Sequence, residues 1–234
     1  MKNICLANVF SLILQGYKKI PRMKKILFIL ALCLPMLAQA KSKQDDTPYL
    51  KGAVPEVNGV VTFQKSYQVP GKSKQEIYKV LKPWLQSLVD NSIEAPGNYA
   101  RLTMDTPDTL VAKVCEWQVY KDKFLVLDRS RYRYTLSVCI EDGRVSISQY
   151  GLAWYYEEDQ QGEHGHMIRA EEWITDAMAV NKAGTKLYPK SGKFRRKTVD
   201  RAKELFESSM DAFETAATPK AVPAQKVRRN VREN

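Results

Sequence analysis

Metal ligands and nucleophiles are scarce in this chain, which has two histidines and four cysteines in 234 residues. Both histidines fall in one stretch, His164-Gly165-His166, beside Glu163. Alternating positions in a glycine-containing loop can converge on one ion, but a zinc site needs three or four ligands in fixed geometry. A solvated loop is the plainer account, so His164 and His166 are weak metal candidates. The sequence contains no Gly-x-Ser-x-Gly and no His-Glu-x-x-His, the strand-turn-helix serine and the helical zinc pair of two large hydrolase groups. Gly192-Lys193 fails as a phosphate loop: Tyr188 and not a glycine stands four residues before Gly192, and Phe194 stands where a Ser or Thr would ligate magnesium. The acid pairs Glu157-Glu158 and Glu171-Glu172 are adjacent residues, which point different ways on a helix or strand and make no acid/base couple. No catalytic residue and no cofactor is indicated.

A long hydrophobic run is also missing. The most apolar stretch, residues 26–37, is twelve residues long and contains Pro35, against the roughly 20 helical residues that cross a bilayer. Lys24 and Lys25 precede it and Ala38-Gln39-Ala40 follows, the order of a cleavable export signal ending at Ala40. Residues 1–22 read as sequence upstream of a start at Met23. Cys33 follows Leu32 rather than a small residue, so a lipidated cysteine is set aside. Removing residues 1–40 takes away six of 37 Lys and Arg and none of 26 acids, so the formal charge falls from +11 to +5. The expected location is the periplasm or cell envelope, with no transmembrane segment in the mature chain.

Export leaves Cys115 and Cys139 in an oxidising compartment. They lie on two strands expected to be neighbours. A disulfide between them and two separately buried thiols both remain open, because register is not readable from sequence.

Residues 41–56 are polar with two prolines and read as a flexible lead-in. One domain is expected over 57–217. Val61, Phe63, Tyr67 and Val69 alternate in a strand that Pro70-Gly71 ends. Ser73 and Glu76 form a capping box, and Ile77, Leu81, Trp84 and Leu88 stripe a helix that contains Pro83 and ends near Asp90. Residues 110–119 are β-rich. Tyr132, Tyr134, Leu136, Val138 and Ile140 alternate with polar residues, Asp142-Gly143 makes a hairpin turn, and the next strand runs to about Tyr156 with a bulge near Gln149. Helices are expected over about 170–182, with Trp173, Ile174, Ala177 and Met178 inward, and about 198–216, with Val199, Ala202, Phe206, Met210 and Phe213 inward. The basic residues 218–234 have no apolar period and read as a disordered tail. This order makes an α+β fold, an antiparallel sheet of about five strands with helices on one face.

The segments GAVPEVNGVVTFQKSYQVPGKSKQEIY, YTLSVCIEDG, EEWITD and SGKFRRKTVD resemble a family of exported bacterial domains of unknown function with a fold like that of the TATA-box-binding protein. The similarity spans roughly residues 52–215. It implies the TBP-like fold and an exported location, and it brings no catalytic residues. The fold's namesake binds DNA, but fold does not set function, and an exported domain meets no duplex; nucleic acid is not an expected partner.

The strongest functional-looking feature is the basic run of 186–203. Lys190, Lys193, Arg195, Arg196, Lys197 and Arg201 are its candidate ligand-binding residues, suited to phosphates or carboxylates. A solvated loop and helix start anchored by Phe194 is the competing account. The aromatic set Tyr132, Tyr134, Trp154, Tyr155 and Tyr156 lies either in the core or partly along a groove fit for a sugar or a hydrophobic ligand. The expected function is therefore a non-catalytic binding or envelope-associated accessory module with an anionic envelope component or a protein as partner. An envelope-polymer hydrolase or transferase and a structural subunit of a larger assembly are the alternatives.

Overall fold

The computed structural model describes residues 44–94, 96–156 and 166–217. The expected signal, His164 and the tail lie outside them. A 3-10 turn, Thr47–Tyr49, leads to a small hairpin of β1 (Glu56–Val57) and β2 (Val60–Val61). Then come β3 (Phe63–Gln68), α1 (Lys74–Glu94), β4 (Tyr99–Asp105), β5 (Thr109–Lys123), β6 (Val126–Glu141), β7 (Arg144–Tyr156), β8 (His166–Arg169), α2 (Asp176–Ala179) and α3 (Pro189–Ala217). Six antiparallel strands form one sheet in the order β3-β7-β6-β5-β4, with β8 pairing the far half of β7. The sixth strand relative to expectation includes β4, whose sequence YARLTMD alternates too weakly to stand out.

Period-two patterning builds the core. Tyr132, Tyr134, Leu136, Val138 and Ile140 of β6 are all buried on the face that α1 and α3 cover. Helix α1 starts as the capping box requires: Ser73 N–H donates to Glu76 Oε2 at 2.9 Å, and Glu76 N–H to Ser73 Oγ at 3.4 Å. Asp142 of the β6–β7 turn adds a bond from Lys74 N–H at 2.7 Å, so the hairpin and the helix start hold each other. The helix buries Ile77, Leu81, Leu85 and Val89, each worth about 1.5–3 kcal/mol; Trp84 and Leu88 are only partly covered. The β7 bulge falls at Gly151, two residues beyond the expected place. Arg133 pairs Ala153 while Thr135 pairs Tyr150, and Gly151 takes φ 64°, which a Cβ disfavours.

Other expectations are corrected by burial. Residues 170–182 hold a 3-10 turn, Ala170–Glu172, and the single turn of α2, because Ile174, Ala179 and Val180 bury without a helical period while Ala177 and Met178 face solvent. Helix α3 begins nine residues before the expected start, so the basic run is helical. Its inward stripe is Phe194, Thr198, Ala202, Leu205 and Ser209, and Met210 is exposed. Phe194 packs edge-on against Trp154 and Trp173 at 5.3 and 6.0 Å. Gly192 lets this turn approach the preceding loop: a Cβ there would lie 2.8 Å from Leu187 Cβ.

The disulfide does not form in this fold. Cys115 pairs with Arg133 and Cys139 with Thr109, six residues apart along the β5–β6 ladder or about 20 Å, against the 4.4–6.8 Å that a disulfide spans. Thiol titration in urea should therefore give the same count for Cys115 and Cys139 with and without prior reduction. A rise on reduction would contradict this register.

Candidate functional site

The N-terminal turns of α3 show why the basic run is not a free cationic patch. Arg195 is 0% exposed. Its guanidinium donates to the carbonyls of Tyr49 at 2.6 Å, Leu50 at 2.7 Å and Ile174 at 2.6 Å, and to Asp176 Oδ1 at 2.6 Å. The other oxygen of Asp176 accepts Gly52 N–H at 2.8 Å. Arg195 is thus a structural tie, and its assignment to ligand binding is overturned. Arg196 pairs with Asp46 at 2.9 Å, and Tyr49 O–H donates to Asp200 at 2.8 Å; that bond, with burial, raises the phenol's pKa. These contacts start the folded unit at Asp46, so the segment from Asp46 is anchored rather than a flexible lead-in. Lys193 reaches both oxygens of Asp128 at 2.9 and 2.7 Å. Lys190 and Lys197 remain exposed.

Arg201 forks onto Glu116, Nε to Oε1 at 2.8 Å and Nη2 to Oε2 at 3.0 Å, and Tyr134 O–H adds a bond to Oε1 at 3.2 Å. The pair stands at one end of a cleft of about 1010 Å³ between α1 and α3, which Trp84 and Ser208 bridge with a 3.2 Å bond. Sequence reasoning missed Glu116. Its signal was phase: Leu110, Ala112, Val114, Glu116 and Gln118 share the inward side of β5. A bidentate guanidinium occupies this carboxylate, which suits positioning rather than proton transfer. Glu76, Asp105 and Asp108 are held below the ordinary carboxylate range by hydrogen bonds from Ser73, from Lys82 and Tyr78, and from Thr106 respectively. Among the described residues no three His, Cys, Asp or Glu cluster as metal ligands, and His166 is exposed at the start of β8.

The aromatic set divides between the two sides of the sheet. Tyr132, Tyr134 and Trp154 are core, with Tyr132 stacked on Trp154 at 5.4 Å. Tyr155 lies on the opposite, open side, joined there by three rings that the aromatic set left out, Tyr99, Trp117 and Tyr150. By register, cross-strand rows on this side carry Arg101 and Lys113; Tyr99, Cys115, Arg133 and Arg169; and Trp117, Arg131, Tyr155 and Met167. The rings and cations touch: Arg129 lies 3.9 Å and Arg131 5.1 Å from the Trp117 ring centre, and Arg133 donates to Tyr155 Oη at 3.1 Å. A hollow of about 380 Å³ opens where Cys115, Thr135 and Gly151 are small, with Tyr99, Tyr155, Lys113 and Arg133 around it. No Asp or Glu occupies these rows. Glu141, at the far end of the face, sits beside Arg144.

A family model described as "Domain of unknown function (DUF4468) with TBP-like fold" matches residues 63–152. A crystal structure of a DUF4468 family protein from Bacteroides ovatus is 35% identical, with a TM-score of 0.65 over 77% of this chain and 100% of that one. The chain belongs to the DUF4468 family. A TBP-like protein from Parabacteroides distasonis, 16% identical, gives a TM-score of 0.55 over 69% of this chain and 97% of that one, a likeness of fold. No curated protein matches. In this DUF4468 domain the matched segment runs from β3 into β7 and holds Glu116 and most open-face cations, while Arg195 and Arg201 lie beyond it.

Two measurements check the two buried networks. Arg195→Ala strands three carbonyls and Asp176, and should lower stability by about 3–5 kcal/mol, read as the urea midpoint. Burial, then the charge of nearby groups including Glu116, raises the pKa of Tyr132 and Tyr134. Their stabilisation is complete below the unfolded value of about 10 and is lost as pH rises past it. Their phenolate absorbance should therefore appear only together with loss of the near-ultraviolet circular dichroism; titration with that signal intact would contradict the packing.

Proposed function

We propose that this domain is an exported, non-catalytic binding module that holds an anionic envelope component on the open face of its sheet. The observation that carries this reading is the rows of Arg, Lys and aromatic side chains without an interleaved acid, on the side that none of the described helices covers. Rows of this kind favour anions, and guanidinium groups that lie against rings are oriented before a ligand arrives. The tyrosines beside the hollow suit the apolar side of a sugar ring while Lys113 and Arg133 take a carboxylate or sulfate, so an acidic polysaccharide is the ligand class that uses both. The apolar run and Ala38-Gln39-Ala40 support export to the periplasm or envelope. Among the described residues no helix is long and apolar enough to cross a membrane.

The test is retention on an immobilised acidic polysaccharide over a salt gradient. The chain should elute at a salt concentration that Lys113→Glu with Arg133→Glu lowers, with affinity reduced by about tenfold or more. Lys190→Glu with Lys197→Glu, on the exposed side of α3, should leave elution unchanged. If the helix pair alone abolishes retention, the basic run and not the sheet is the binding surface.

A further inference from the structure

The β5–β6 hairpin ends in a turn that breaks the rule for turns. Lys123 pairs with Val126, which leaves Phe124 and Leu125 as the two turn residues. Such positions ordinarily take Asn, Asp or Gly, yet Phe124 is 93% exposed and Leu125 88%. Leu125 also holds a left-handed φ of 66°, a conformation that a branched side chain seldom adopts. Val126 and Leu127 follow and are exposed as well. Four consecutive large apolar side chains thus project into water from a ribbon that is paired up to its end and keeps them from folding back. A local choice that opposes solubility and turn propensity together marks a functional surface.

We propose that this tip inserts into the interface of a lipid bilayer whose head groups are anionic. Two features select that occupant over a protein groove. The apolar side chains surround the tip, since Val126 and Leu127, as neighbours on a strand, point to opposite sides of the ribbon. An all-round apolar knob suits a medium that closes on it from every direction. Lys123 stands opposite Val126 and Asp122 opposite Leu127, with Lys121 and Arg129 behind them; Asp128 is engaged by Lys193. Lys123 forms the last paired rung with Val126, one step behind the turn residues and about 3–4 Å along the ribbon, within the depth of the head-group layer, which is roughly 5–8 Å on each side of the hydrocarbon core. With the tip at the acyl boundary, these cations reach the head groups. The proposal does not depend on the open face of the sheet as a polysaccharide site.

The experiment is co-sedimentation of the full chain with vesicles of phosphatidylcholine, with and without phosphatidylglycerol. The Phe124→Ser/Leu125→Ser variant is run in parallel, so that residues 1–40 contribute equally. Wild type should partition better when phosphatidylglycerol is present, and the variant should lose about tenfold or more of that partition. Its urea midpoint should not fall, since both side chains are at the surface. In a Phe124→Trp chain the emission should shift to the blue on vesicle addition and be quenched by lipids brominated on their acyl chains. Equal partition of variant and wild type, or an indole at position 124 that stays in water, would overturn the proposal. So would a concentration-dependent dimer that the double substitution abolishes, since a second copy would then cover the tip. Charge reversal at Lys113 and Arg133 should leave the brominated-lipid quenching in place, which separates failure of this proposal from failure of the sheet-face reading.

Discussion

A guanidinium without access to water constrains most of this molecule. Arg195 brings a permanent charge into the packed region under α3, and a buried charge persists only where its donors are met. Four bonds meet them, from two neighbouring carbonyls in the segment after Asp46, one carbonyl before α2, and the carboxylate of Asp176. Two separate stretches of chain, residues 49–50 and 174–176, must therefore converge on the second turn of α3. That convergence sets where the folded unit begins, keeps residues 170–180 from forming a regular helix, and fixes the long helix over the sheet with Phe194 wedged among Trp154, Trp173 and Tyr120.

With α3 held in this way, the sheet has two unlike sides. Under the helices, polar groups gather in bonded sets: Glu116 with Arg201 and Tyr134, and Gln118 with Trp154 and Tyr120. On the other side the same strands present arginines, lysine and four rings, Tyr99, Trp117, Tyr150 and Tyr155. Alternation along each strand lets one sequence serve both environments, and the Gly151 bulge shifts the phase of β7 so that Leu152 and Trp154 continue the core while Tyr155 joins the open side.

The long β5–β6 ribbon extends this division beyond the compact part of the domain. Its base belongs to the core, its middle carries the Trp117–Arg129–Arg131 stack, and its end is apolar. Charged and apolar surfaces thus lie in sequence along one ribbon.

Periodicity and local chemistry were legible in the residues themselves. The alternation of residues 132–140, the Ser73–Glu76 capping box and the α1 stripe each specify an element through neighbours close in sequence, and they carry the α+β class. Long-range facts were not legible. That Cys115 and Cys139 lie about 20 Å apart on adjoining strands is a matter of register, which pairing with a distant strand decides. That α3 begins at Pro189 follows from what Arg195 and Phe194 touch, and a pattern that scores apolar residues reads a buried arginine as surface. Tyr99 and Trp117 give no signal of their own in a linear chain; only the sheet sets them beside Arg101, Arg129 and Arg131. The sequence by itself determined the elements that arise from short-range periodicity and capping, while the tertiary structure decided which charges are consumed inside and which face outward, because that depends on partners up to 151 residues away.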